Sequence, residues 1–184
     1  MPSLLRDGVT GDLDGDGDLD LLAVRWAGGP AQLLLRNGGG RRLVDVTSAS
    51  LPADSAASLG LVLFDMDGDG DLDLFVSKAG APRLLRNRGA GTFVDASSNL
   101  PPGINSTPAV VAADFDGDGG VDIAIGGNLL LGNQTFVLRN SGLGTFTAVQ
   151  PIPGGNVASM VASSRTAPRA STASCSTRAT ERTR

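Results

Sequence analysis

The sequence predicts an all-β fold, a partial β-propeller of about three four-stranded blades, and three observations lead there. An acidic segment recurs three times, as GDLDGDGDLDLLAV at 11–24, FDMDGDGDLDLFVS at 64–77 and ADFDGDGGVDIAIG at 113–126. Each is followed by a second repeated segment, LLLRNGGGRRLVDV at 33–46, RLLRNRGAGTFVDA at 83–96 and FVLRNSGLGTFTAV at 136–149. The composition agrees: aromatics are 4%, Tyr and His are absent and Gly numbers 26, so a core must come from Leu, Val, Ala and a few Phe. Short strands and turns suit that supply better than long helices.

The repeat sets the order of elements. The first aspartates of the acidic segments, Asp12, Asp65 and Asp114, stand 53 and 49 positions apart, a period of one small supersecondary unit. LGLVLF (59–64) and PAVVAA (108–113) precede the second and third acidic segments and are too short for independent helices, so they are expected to be buried strands. Only LLRDGVTG precedes Asp12, which leaves the matching strand of the first unit in question. After each acidic loop an apolar strand resumes, as in DLDLFVS. The Arg-Asn-containing segments read as hairpins, with Gly and Asn supplying the positive φ of tight turns. Each unit is thus strand, acidic loop, strand, connection, strand, turn, strand.

The period predicts a fourth acidic loop near position 165. A lead-in strand, NVASMVAS (156–163), is present, but the chain continues as SRTAPRASTASCSTRATERTR, with five arginines and one glutamate. That composition cannot bury enough surface to fold, so residues 1–163 are expected to hold the repeats and 164–184 to form a disordered basic tail. The abandoned repeat is the pattern expected of a truncated or frameshifted end; a basic arm for an anionic partner is the competing expectation.

The totals narrow the function classes. Of the 19 acidic residues, five, five and four lie in the three acidic windows, so the net charge of −4 is a local matter. No dense Lys/Arg cluster of the nucleic-acid-binding kind occurs. A single cysteine, Cys175, excludes an internal disulfide, and no apolar run approaches the roughly 18 residues of a membrane span. The N-terminus lacks the layout of a secretory signal, so the chain is expected either to stay in the cytoplasm or to lack its true beginning. With neither His nor Tyr, nucleophile-and-base arrangements have no support, and no enzyme activity is expected.

The acidic windows align as Asp-x-Asp-Gly-Asp-Gly-x-x-Asp. Carboxylates at positions 1, 3, 5 and 9 can converge on one point while the glycines let the backbone turn around it. Like charges 4 Å apart repel by about 1 kcal/mol in water and about 4 kcal/mol near a protein surface, so a cation is expected among them. With oxygen the only donor, Ca²⁺ and its about six to eight hard ligands fit best, with Mg²⁺ second. Position 7 is Asp18, Asp71 or Gly120; since glycine suffices, this position is expected to use its backbone carbonyl. An EF-hand would need a Glu at position 12, where Ala23, Val76 and Ile125 stand.

These loops, with the LRNxGxGxF-like hairpins after them, resemble FG-GAP/VCBS repeats, the calcium-loop blades of integrin α-subunit-like β-propellers, over about residues 7–163. The resemblance implies one Ca²⁺ per loop, about three in all. It places the ligands at Asp12, Asp14, Asp16, Asp18 and Asp20; Asp65, Asp67, Asp69, Asp71 and Asp73; and Asp114, Asp116, Asp118, Gly120 and Asp122. It also implies protein or glycan recognition and adhesion outside the cell or at its surface, or service as an accessory domain of a polysaccharide-active enzyme. Family propellers have about seven blades, so open sheet edges here are expected to be covered by missing blades or by self-association. Within the repeats, the connections 48–58 and 97–107 are the binding-loop candidates, although plain linkers are the simpler expectation. Arg36, Arg86 and Arg139, identically placed, are expected to be structural or solvated, and Trp26 to cap an apolar face or touch a ligand.

Overall fold

The computed structural model describes residues 5–26, 30–40, 42–105, 109–128 and 134–148. Among the described residues, twelve strands form three four-stranded antiparallel sheets, each in simple sequential order. The first blade holds β1 (Leu5–Gly11), β2 (Asp20–Arg25), β3 (Gln32–Asn37) and β4 (Leu43–Asp45). The second holds β5 (Ser58–Phe64), β6 (Asp73–Lys78), β7 (Arg83–Asn87) and β8 (Phe93–Asp95). The third holds β9 (Ala109–Ala113), β10 (Asp122–Asn128), β11 (Gln134–Asn140) and β12 (Phe146–Ala148). One helical turn, α1 (Thr47–Ser50), and one 3-10 turn, Ser97–Asn99, follow the first two blades. The fourth lead-in strand and the tail lie outside the described residues.

The first strands of the blades, β1, β5 and β9, lie side by side, and the sheets stack face to face through two apolar clusters. Val9, Leu22 and Leu34 of the first blade meet Leu63, Leu74, Leu85 and Phe93 of the second. Val62, Phe75 and Leu84 of the second meet Val110, Ile123, Leu138 and Phe146 of the third. Because strand side chains alternate between faces, Leu61 and Leu63 enter the first cluster and Val62 and Phe64 the second. This explains why LGLVLF is apolar at every position: the middle blade has a partner on both faces. Phe64 and Phe146 meet edge to face at 6.3 Å and 78°.

The strand the sequence left in question exists. β1 pairs with β2 from Leu5↔Arg25 to Gly11↔Asp20, with a bulge between Leu5 and Asp7. Local apolar content could not show this, because much of what holds β1 comes from the next blade. The Arg6 guanidinium donates to the Leu59 carbonyl at 2.9 Å. Gly11 lies so close to the second blade that a Cβ would stand 2.8 Å from Leu72 Cδ1 and 3.1 Å from Leu63 Cδ1.

The Asn residues of the hairpins also differ from expectation. Ala90 (φ 53°) is the one non-glycine residue with positive φ among those described, so Asn37, Asn87 and Asn140 do not make the turns by backbone conformation. They end their strands and use their side chains. The Asn87 amide donates across the blade junction to the Leu13 carbonyl at 2.9 Å, and Asn140 donates to the Met66 carbonyl at 2.7 Å. Both contacts bridge 74 positions of chain and tie each blade to the acidic loop of the blade before it.

Candidate metal centres

The acidic segments 12–19, 65–72 and 114–121 join the first two strands of each blade at the same end of the stack. Each loop is wound around its first aspartate. Asp65 accepts the backbone N–H of Gly68 at 2.8 Å and of Gly70 at 3.0 Å, and both glycines have the positive φ this winding requires, 78° and 91°. Asp12 and Asp114 hold their loops in the same way.

The last aspartate of each loop is the anchor. Asp73 is fully buried; its Oδ2 accepts the Met66 N–H at 2.9 Å and its Oδ1 the Asn87 N–H at 2.7 Å. Asp20 takes the N–H groups of Leu13 and Asn37, and Asp122 those of Phe115 and Asn140. One carboxylate therefore fixes the start of the loop and the end of the third strand together.

Three carboxylates converge in every blade: Asp12, Asp14 and Asp20; Asp65, Asp67 and Asp73; Asp114, Asp116 and Asp122. In each trio, one oxygen per residue lies within 4.8 Å of the others. Calcium–oxygen bonds of about 2.3 to 2.6 Å put ligands of one ion at most about 5 Å apart, so the spacing suits a single ion. The position-5 aspartates, Asp16, Asp69 and Asp118, lie outside these trios and instead accept the N–H of Asp18, Asp71 and Gly120 at 2.9, 3.0 and 2.8 Å. Positions 5 and 7 are thus linked to each other, apart from the carboxylate trios.

The residues fit a hard cation. Asp67 Oδ1 is buried within the second trio and has no hydrogen-bond partner, the condition of an oxygen awaiting a ligand. Burial, with repulsion from Asp69, pushes the Asp67 carboxyl above its ordinary value against the pull of Arg86; Asp14 is likewise raised, by burial first. Asp73 rises from 3.8 to about 7, chiefly through burial, with Asp67 and Asp69 adding to it against the two backbone N–H groups.

The repeated arginines, whose role the spacing left between structure and solvent, reach into these loops. Arg36 pairs with Asp14 at 2.9 Å, Arg86 with Asp67 at 2.7 Å and Asp69 at 3.2 Å, and Arg139 with Asp116 at 3.0 Å. Each neutralises part of its own loop through the second oxygen of the position-3 carboxylate. The signal was legible in the strict Arg-Asn repetition, but the partner was not, because it lies one strand away.

The raised Asp73 carboxyl has a measurable consequence. In the metal-free protein, a group whose value is higher folded than unfolded stabilises the fold most below its unfolded value of 3.8, and that contribution is lost as pH rises through about 7. A cation held by Asp73 would displace this proton, so the affinity of the second loop for calcium is expected to fall by about tenfold per pH unit below 7. Calorimetry in two buffers of different ionisation heat should detect proton release near pH 6 and none near pH 8.5; equal heats at pH 6 would refute the coupling.

A family model described as FG-GAP-like repeat matches residues 12–76 and again 65–125, each match running from the first aspartate of one loop into the strand after the next loop. The chain belongs to the FG-GAP-like repeat family. Its FG-GAP blades also resemble a solved structure, that of an Agrocybe aegerita lectin reported for specific recognition of non-reducing terminal N-acetylglucosamine. That likeness has a TM-score of 0.52 at 21% identity, covers 78% of this chain and 37% of the lectin chain, and supports the fold. This FG-GAP chain therefore spans about a third of the lectin's length. No curated protein matches the sequence.

Of the two candidate binding connections, 48–58 is occupied by structure. Asp54 is buried against Lys78, whose ammonium stands 2.6 Å from Asp54 Oδ1, and it also takes the Gln32 amide at 3.0 Å. Burial alone would raise the Asp54 carboxyl, yet the hydrogen bonds of Gln32 and Lys78 hold it below its ordinary value. Of the connection 97–107, residues 106 and 107 lie outside the described residues, and the part 97–104 borders a groove of about 190 Å³, lined by Pro82, Ser97, Leu100, Pro101, Pro102 and Ile104 among others. Trp26 is half exposed, with the Arg6 guanidinium 4.9 Å from its ring centre.

Proposed function

We propose that the chain is a calcium-stabilised FG-GAP propeller module that recognises a ligand outside the cell, with glycans the favoured class, and that it is not itself an enzyme. The observation that carries this reading is the carboxylate trio repeated at the same corner of three blades, one of them with a buried, unpartnered oxygen. Asp12, Asp14 and Asp20 and their counterparts would hold the ion; the position-7 carbonyls of Asp18, Asp71 and Gly120, together with Asp16, Asp69 and Asp118, would complete its shell. When bound, calcium supplies charge neutralisation and a rigid loop. Carboxylates committed to a metal are poor proton donors, which argues against acid–base chemistry here.

An extracellular setting is supported by analogy: calcium sites of extracellular modules bind at about 10⁻⁴ to 10⁻³ M, and sites of that strength would be filled by external calcium and not by cytosolic calcium. No helix among the described residues is long and apolar enough to cross a membrane. Glycans are favoured over proteins by the likeness to a sugar-binding lectin, and the groove beside Pro101 and Pro102 is the surface offered. The family resemblance, in which such repeats also stand beside catalytic domains, carries the second reading, an accessory propeller of a polysaccharide-active enzyme.

A glycan array probed with the purified chain, with calcium and with chelator, tests the proposal. Binding that chelator abolishes is expected. A blank array with calcium present, on folded protein, would end the glycan reading, and hydrolysis of a bound polysaccharide by the pure chain would end the non-enzyme reading.

A further inference from the structure

The buried anchors of the three acidic loops stand in one continuous line of hydrogen bonds. In the first loop, Asp20 Oδ2 accepts the Leu13 N–H at 3.1 Å, and the Leu13 carbonyl accepts the Asn87 side-chain amide at 2.9 Å. The Asn87 backbone N–H then donates to Asp73 Oδ1 of the second loop at 2.7 Å. From there the pattern repeats. Asp73 Oδ2 accepts the Met66 N–H at 2.9 Å, the Met66 carbonyl accepts the Asn140 amide at 2.7 Å, and the Asn140 N–H donates to Asp122 Oδ1 at 2.8 Å. Asp20, Asp73 and Asp122 each belong to a carboxylate trio, so an asparagine stands between each pair of neighbouring candidate metal centres.

Both asparagines are held on every side. Asn87 is fully buried and Asn140 is 3% exposed. The Asn87 Oδ1 accepts the Gly89 N–H, and the Asn140 Oδ1 accepts those of Gly142 and Gly144. Their amides also donate to the Leu72 and Val121 carbonyls, which fixes which way each amide points. At the other end of each link, Leu13 and Met66 are 2% exposed and packed in the apolar clusters. A shift of the loop backbone at Leu13 or Met66 therefore has one outlet, the asparagine of the next blade.

We propose that Asn87 and Asn140 are positioning residues that couple the three centres, so that calcium at one loop raises the affinity of its neighbour. The coupling rests on the calcium reading given under the proposed function. In an empty loop, repulsion among three carboxylates works against the winding that places Leu13 or Met66. A cation in the first loop removes that repulsion and fixes Leu13; the Leu13 carbonyl fixes Asn87, and the Asn87 N–H holds a carboxylate of the second trio in place. The second loop then binds with part of its ordering complete, which is positive cooperativity, and linkage makes the effect reciprocal. Arg36 adds a second link at the first junction, pairing with Asp14 at 2.9 Å and donating to the Ala90 carbonyl at 2.7 Å. Direct repulsion between bound ions has the opposite sign and is screened at about 0.15 M salt.

A calcium titration of the full chain at that salt, followed by nuclear magnetic resonance, tests this. The amide signals of Gly17, Gly70 and Gly119, which donate to Asp12, Asp65 and Asp114, read each loop separately. In the wild-type chain the loops should fill with a Hill coefficient of about 1.5 or more, from coupling near the low end of the usual range of about 5- to 150-fold. Asp67→Ala, which removes a carboxylate of the second trio alone, should weaken calcium at the first and third loops by about 3- to 10-fold, although both keep all their own residues. Asn140→Ala should let the third loop fill independently while the first two stay coupled. Asn87→Ala should separate the first loop in the same way, less completely because Arg36 remains. A purely structural role would lower the melting temperature of these variants in calcium-free buffer and leave the steepness unchanged, which would overturn the proposal. Independent filling of all three loops in the wild-type chain would overturn it too and leave the calcium reading standing, whereas signals that ignore calcium altogether would end both. Should the asparagine variants not fold, the wild-type isotherm and Asp67→Ala decide.

Discussion

Asp73→Ala should remove about 2 to 5 kcal/mol of stability and the second calcium site with it. The carboxylate is fully buried and its two oxygens satisfy two backbone donors, Met66 at 2.9 Å and Asn87 at 2.7 Å. Alanine leaves both N–H groups without a partner, and each unsatisfied buried donor costs about 1 to 3 kcal/mol. Asp73→Asn should recover less than half of that, because one oxygen can still accept while the new amide N–H₂ faces a second donor. Asp71→Ala, at a half-buried position of the same loop whose side chain anchors no backbone N–H, is the control and should stay within about 0.5 kcal/mol in calcium-free buffer. Urea unfolding at pH 8, above the raised Asp73 value, measures all three. A loss under about 1 kcal/mol for Asp73→Ala would show that the anchor is dispensable.

Calcium should raise the melting temperature by on the order of 10 to 20 °C, and chelation should reverse it. At 10 mM calcium, sites with dissociation constants of about 10⁻⁴ to 10⁻³ M each contribute about 1.4 to 2.7 kcal/mol by mass action, and three act together. One kcal/mol moves the melting point of a chain this size by about 2 to 4 °C. The origin is electrostatic. Each loop holds three converging carboxylates within 4.8 Å, and one arginine per loop offsets only part of their repulsion. Mg²⁺ should stabilise less, since it demands stricter geometry and gives up water reluctantly. Scanning calorimetry with calcium, magnesium and chelator decides the matter; an unchanged melting point in 10 mM calcium, with no heat of titration, would remove the metal from the account.

The acidic loops were legible because everything that shapes them is local. Asp65 winds its loop onto Gly68 and Gly70 within five residues, and the spacing of Asp, Gly and Asp writes that geometry directly into the chain. The repeat was legible for a related reason: three copies of one pattern exclude accident. The Asn residues show where such reading fails. Their place before a glycine-rich turn suggests a backbone role, whereas Asn87 and Asn140 act through side-chain amides on carbonyls 74 positions away. The same holds for Arg86, whose repetition is visible but whose aspartate partner is not.

By itself, then, the sequence determined the strand-and-loop order of each blade and which carboxylates crowd together, because strand alternation, turn glycines and loop winding are governed by neighbours a few residues apart. Tertiary structure alone decided that Leu5–Gly11 is a strand, that Asn87 and Asn140 fasten one blade to the last, and that Asp54 belongs to a buried ion pair with Lys78. Each of those depends on the meeting of surfaces distant along the chain. Burial and pairing at such a meeting are properties of two faces at once, and one stretch of sequence specifies only its own.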